Sequence, residues 1–174
     1  MSLCALLLLL AGGAWARLLM TQQDALALAF PGASIERRTA YLSDEQRRLA
    51  AQAGRVKVES RLWTYYVGTS SAGVLGYAYF ETHTVRTMPE TFMAVVAPNG
   101  GLRFVELLAF SEPDDYRPRP RWLEQFFNRR LNERLLLRRS IRNIAGATLT
   151  SQALTDGVRR VLAVHAALHQ GKER

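Results

Sequence analysis

The chain reads as a single α+β domain in which helices pack a twisted antiparallel sheet, and three observations predict it. Four segments rich in branched and aromatic side chains, at residues 56–67, 74–83, 91–97 and 102–110, follow one another with no helical pattern between them. Strands that are neighbours in sequence without crossover helices pair antiparallel. A long amphipathic stretch closes the chain, where Leu154, Val158, Val161, His165 and Leu168 recur at alternating steps of four and three. Its 174 residues, 48% of them hydrophobic, suffice for one core, and no repeat or linker-like stretch divides them.

The elements follow in order. Residues 3–16 are an uncharged apolar run ending in Ala14-Trp15-Ala16, a shape that suits signal-peptidase cleavage, although no positive charge precedes it. The run is short for a membrane span. Residues 1–20 are therefore read as a signal peptide or an N-terminal membrane anchor, with a single domain over 21–174. The one cysteine, Cys4, falls inside the leader, which leaves the remainder without disulfide, thiol or cysteine-metal chemistry.

Thr21-Gln22-Gln23-Asp24 predicts a capped helix that Pro31-Gly32 ends, and Ser43-Asp44-Glu45-Gln46 predicts a second that closes at Gly54. In the sheet region, Val56, Val58, Ser60 and Leu62 alternate with polar residues, and residues 63–67 continue the strand. Ser70-Ser71-Ala72-Gly73 turns into the next, and Pro98-Asn99-Gly100-Gly101 is a strong hairpin signal. Pro120 suits the first turn of a helix reaching about Asn128, with Trp122, Leu123, Phe126 and Phe127 on or near one face.

Chemistry concentrates just before the closing helix. Ala145, Gly146 and Ala147 carry almost no side-chain bulk, so another molecule can approach the backbone. Thr148, Thr150 and Ser151, with Leu149 between them, place three hydroxyls beside the unpaired N–H groups and positive dipole end of a helix, an arrangement that suits a phosphate. The competing account is a tight turn followed by an N-cap at Thr150 or Ser151.

The run Ala145-Gly146-Ala147-Thr148-Leu149-Thr150-Ser151 resembles the flavinylation signature of the FMN-binding domain family, found in the G subunit of Rnf complexes, the C subunit of sodium-translocating NADH:quinone reductases, and small exported relatives. In that family a threonine hydroxyl receives FMN as a phosphoester from a dedicated flavin transferase, and by position the acceptor is Thr148. Arg142 stands where the transferase-recognised motif usually has aspartate, and Ala145 where serine is commonest. The order of elements is similar too: hairpin, strand, a glutamate (Glu112), an aromatic-bearing helix (Trp122), the threonine motif and a closing helix. The resemblance covers about residues 70–168. It implies an exported flavoprotein, periplasmic or on the outer face of the cytoplasmic membrane, that takes electrons from membrane or periplasmic redox proteins and passes them on. In that role it is a carrier rather than an enzyme with its own substrate. The alternatives are a flavin-dependent reductase of a small acceptor and a cofactor-free envelope module.

Charge is the other informative feature. Residues 117–142 hold nine arginines against Glu124 and Glu133, a net +7 of the chain's +8. Arginine can pair with phosphate, steer acidic partners or hold a domain on an anionic membrane surface; otherwise it is a solvated face. Arg138, Arg139 and Arg142 are the sequence candidates for contacting the FMN phosphate. A nucleic-acid partner is not expected, because nothing resembles a base-reading module. His165 and His169, four apart, have metal-ligand spacing but no evident third ligand, and His165 falls on the apolar stripe. Tyr116, Trp122, Phe126 and Phe127 are candidate ring-packing aromatics. Glu112, Asp114 and Asp115 read as a turn rather than an acid–base cluster.

Overall fold

The computed structural model describes residues 17–169. The apolar leader with Ala14-Trp15-Ala16 lies outside them. Arg17–Leu18, placed before the expected domain boundary at 21, form strand β1 on the edge of the sheet. The folded unit therefore already includes Arg17.

After β1 come α1 (Gln22–Ala29), β2 (Ser34–Tyr41), α2 (Asp44–Gly54), β3 (Leu62–Ser70), β4 (Gly73–Val85), β5 (Met88–Val96), β6 (Leu102–Phe110), a short α3 (Pro120–Leu123) and α4 (Thr148–His169). The strands form one antiparallel sheet in the order β1-β6-β5-β4-β3-β2. The α+β class read from the sequence is the architecture observed.

Local chemistry explains the helix starts. Thr21 accepts from the Asp24 amide, and Ser43 and Gln46 exchange both bonds of a capping box. α2 stops at Gly54, where Arg55 takes the left-handed conformation at φ 49°. α3 begins at Pro120 but is shorter than expected: its second half is a 3-10 turn over Glu124–Phe126, tightened by the Phe127 N–H donating to the Glu124 carbonyl.

Two strand expectations change. Residues 56–61 do not join the sheet, and their alternation has another cause: Val58 is buried with Leu42, Ala50, Ala163 and Val164 beneath α2 and α4. β2 lies where no strand was expected, and it carries mostly exposed polar residues because it is an edge strand paired only with β3. β4 and β5 also run further than expected, meeting in a two-residue turn at Arg86-Thr87. Pro89 is tolerated inside β5 because β5–β6 pairing begins one residue later, at Glu90 opposite Phe110.

Both faces of the sheet are covered. Phe92, Ala94 and Val96 of β5 point to the α4 side, where they meet Leu154, Val158, Val161 and Leu162. Met93 and Val95 point to the opposite side and pack with Ala25, Ala29 and Phe30 at α1. This double coverage explains why β5 reads as a continuous apolar run rather than an alternating one.

Among the described residues no helix is long and apolar enough to cross a membrane.

Candidate functional site

The site is built around the start of α4. The Ala147 N–H donates to the Ile144 carbonyl, closing a turn in which Gly146 has φ 77°. That conformation is strained for a residue with a Cβ, so the backbone favours glycine here. A Cβ built on Gly146 would meet only the Tyr116 ring, 4.0 Å away, so the side of the turn is open and flanked by an aromatic.

α4 begins at Thr148, which places Thr150 and Ser151 inside the first turn rather than at an N-cap. The backbone N–H groups of Thr148, Leu149 and Thr150 have no backbone acceptor among the described residues, as the first turn of a helix dictates. Ser151 is fully buried; its hydroxyl accepts from the Ile144 N–H at 3.1 Å and donates to the Ala147 carbonyl at 2.9 Å. Thr150 is buried too and donates to Glu112 at 2.6 Å. Two of the three hydroxyls therefore fasten the turn. The third, on half-buried Thr148, accepts from the Asn143 side-chain amide at 2.9 Å. Leu149 and Ala145 are exposed and Ala147 is buried.

Glu112, 38 residues before Thr150, is thus brought to the motif. Its second oxygen meets Arg86 at 3.3 Å, and the Arg86 guanidinium lies 5.6 Å from the centre of the Tyr116 ring. Arg86 occupies the β4–β5 turn at φ 56°, an uncommon conformation for a side chain of its size, and its side chain remains half exposed. Contacts thus run from Thr150 through Glu112 and Arg86 to the Tyr116 ring, which flanks Gly146. Sequence reasoning missed Arg86 and Asn143. Arg86 is distant in the chain, and only the closure of the β4–β5 hairpin brings it near.

The other candidates have different work. The Trp122 indole N–H donates to the Arg142 carbonyl at 2.6 Å, and its ring meets Phe126 edge-on. Gln125 accepts from the Arg142 backbone N–H at 2.8 Å. Trp122 and Gln125 therefore clamp the Arg142 backbone against α3, while the exposed Arg142 side chain turns its Nε to Gln125. Arg138 sits in a left-handed turn at φ 63°, and Arg139 lines a cavity with Arg129 and Arg134. Among the described residues, none of the three hydrogen-bonds to the Thr148 hydroxyl. The cation tied into the motif's own hydrogen-bond network is Arg86.

His165 is a core residue. It is 5% exposed, the Tyr79 hydroxyl lies 2.9 Å from its Nδ1, and burial, with a smaller push from His169, lowers its pKa to about 3. No cluster of metal ligands exists among the described residues. The unfolded chain takes up a proton near pH 6.5 while the folded one resists, so the contribution of neutral His165 is intact above about 6.5 and is lost as the pH falls toward 3. Acid unfolding should therefore show a component of up to a few kcal/mol over that window. Melting curves from pH 7 to 4 on the native chain and a His165→Gln variant check it, the variant being expected to lose less stability on acidification.

Glu81 lies on β4, facing α4. It pairs with Arg160, and burial raises its carboxyl to about pH 7.

No family model matches this chain, and no curated protein matches it.

Proposed function

We propose that this protein is an exported electron carrier that holds FMN as a phosphoester on Thr148. The observation that supports the reading best is the surroundings of the Thr148 hydroxyl. It stands at the first residue of a long helix, next to amides without backbone acceptors, and receives a hydrogen bond from Asn143. An ester oxygen can only accept, so a donor at that atom is compatible with esterification. The phosphate would lie over the amides of Leu149 and Thr150, at the positive end of α4. Arg86 would supply compensating charge, and Tyr116 would flank the ring over the glycine turn. Trp122 acts at one remove by fixing the Arg142 backbone and hence the approach to the motif.

Bound FMN supplies the redox chemistry, and the chain sets its position and electrostatic surroundings. In this reading a flavin transferase matures the protein, its partners are membrane or periplasmic redox proteins, and it works in the periplasm or on the outer face of the cytoplasmic membrane. Arg142, which stands where the family's motif usually has aspartate, has its backbone held by Trp122 and Gln125 and its Nε turned to Gln125.

The test is the intact mass and visible spectrum of protein exported from a host with the transferase, beside a Thr148→Ala variant. The expected result is a yellow protein heavier by one FMN less one water, with the addition absent from the variant. A yellow protein of unmodified mass would retain flavin binding and remove the ester. A colourless protein of unmodified mass would overturn the proposal.

A further inference from the structure

The arginines that do not serve the Thr148 site share a different surface. Residues 128–147 contain no helix or strand apart from one isolated bridge, between Leu137 and Ile141. Their backbone is nevertheless well fastened. Asn132 accepts from the Arg134 and Leu135 amides at 2.8 and 3.0 Å, Ser140 donates to the Arg134 carbonyl at 2.8 Å, and Leu135 and Ile141 are buried. Arg129, Arg130, Arg134, Arg138 and Arg139 are exposed on this frame, and none has a carboxylate within 4.0 Å among the described residues. Glu133, the acid in their midst, pairs with none of them. Arg117 and Arg119, by contrast, both pair with Asp114.

Three of these arginines converge. Arg129, Arg134 and Arg139, with Asn132 and Ser140, line a cavity of about 510 Å³. Guanidinium groups without carboxylate partners match phosphate oxygens, with which they can pair bidentately. Two residues before Arg129, Phe127 is 60% exposed, and its position is held because Leu102 exchanges backbone hydrogen bonds with Asn128 and Arg129. A fixed, exposed aromatic two residues from an arginine of a phosphate-matching cavity has the chemistry of a membrane interface, where the ring enters the headgroup boundary and the arginines meet anionic lipid. An acidic protein would complement the charge, but charge pairing alone leaves the exposed apolar surface of Phe127 unused.

We propose that Phe127 and the loop arginines dock this protein on a bilayer containing anionic phospholipid. The contact does not depend on flavin. Binding of the full chain to vesicles of phosphatidylcholine alone and of phosphatidylcholine with phosphatidylglycerol tests it by co-sedimentation. Binding should require phosphatidylglycerol and weaken with added salt. Replacing Arg129, Arg134 and Arg139 together by glutamine should weaken it on the order of a hundredfold, at about fivefold per arginine. Phe127→Ser should weaken it by roughly tenfold. All four positions are exposed, so circular dichroism should show an unchanged fold. A control triple, Arg17→Gln, Arg37→Gln and Arg55→Gln, removes the same net charge elsewhere and should bind like the native protein. Equal losses in the two triples would overturn the assignment to this surface. So would failure of the native protein to prefer phosphatidylglycerol, including the case in which it binds only acidic proteins.

Discussion

Replacing Arg159 by alanine should unfold the protein or leave it barely folded at 25 °C. Arg159 is fully buried on α4 and donates to three backbone carbonyls: Gly54 at the end of α2 at 2.7 Å, Asn132 at 3.0 Å, and Leu135. No carboxylate joins it, and burial lowers its pKa from the usual arginine value. Its partners are carbonyl dipoles, including the negative end of α2. Alanine would strand three acceptors at about 1–3 kcal/mol each and leave a cavity. The sum is on the order of 5 kcal/mol, comparable to the whole stability of a small domain. Urea unfolding measures the loss, and trypsin reports where it falls, since residues 129–142 are dense with arginine. Arg159→Lys should recover part of the stability but cannot reach all three carbonyls with one ammonium group. A loss under about 1 kcal/mol with an intact loop would show that the loop is held by something other than Arg159.

The second large effect reverses a sequence rule. Gly157 lies inside α4, where exchanging glycine for a residue with a side chain ordinarily gains up to about 1 kcal/mol. Here a Cβ would sit 2.8 Å from the Phe92 ring and 2.9 Å from Glu81 Oε1, so α4 could no longer lie as close to β4 and β5. Gly157→Val should therefore destabilise by about 3 kcal/mol or more through overpacking, read as a lower urea midpoint. Gly157→Ala should be the milder member of the series. Stabilisation by alanine would contradict the close packing of this helix on the sheet.

Much of the fold was legible because the signals were local. The capping box at Ser43 and the hairpin turn at Asn99-Gly100 state their structure within a few residues, and the four/three spacing of Leu154, Val158, Val161 and His165 identifies the face that is buried. β2 was illegible because an edge strand has no second neighbour to demand apolar side chains. The alternation at Val56 and Val58 misled because a residue can be buried under helices without belonging to a strand. In the site, Glu112 and Thr150 were both named from the sequence, and the 2.6 Å bond between them is the tertiary link that spacing could not supply. Arg86 had no local signal: nearness in sequence favoured Arg138, Arg139 and Arg142, whereas nearness in space depends on where a hairpin ends.

The polar edge strand has a consequence for how this protein behaves in a crowded compartment. A sheet grows by adding strands to a free edge, and β2 offers eight residues of one. Glu36, Arg37 and Arg38 lie along it, with Glu36 and Arg38 paired to each other at 2.7 Å, so an incoming strand would have to desolvate an arginine and break an ion pair. At the opposite edge, β6 is covered near one end by β1 and at the other by the Asn128–Arg129 backbone bonded to Leu102. The residues that hid β2 from sequence reading thus protect the sheet against edge-to-edge aggregation, and replacing them with better strand formers would make the sheet easier to recognise and the protein harder to keep in solution.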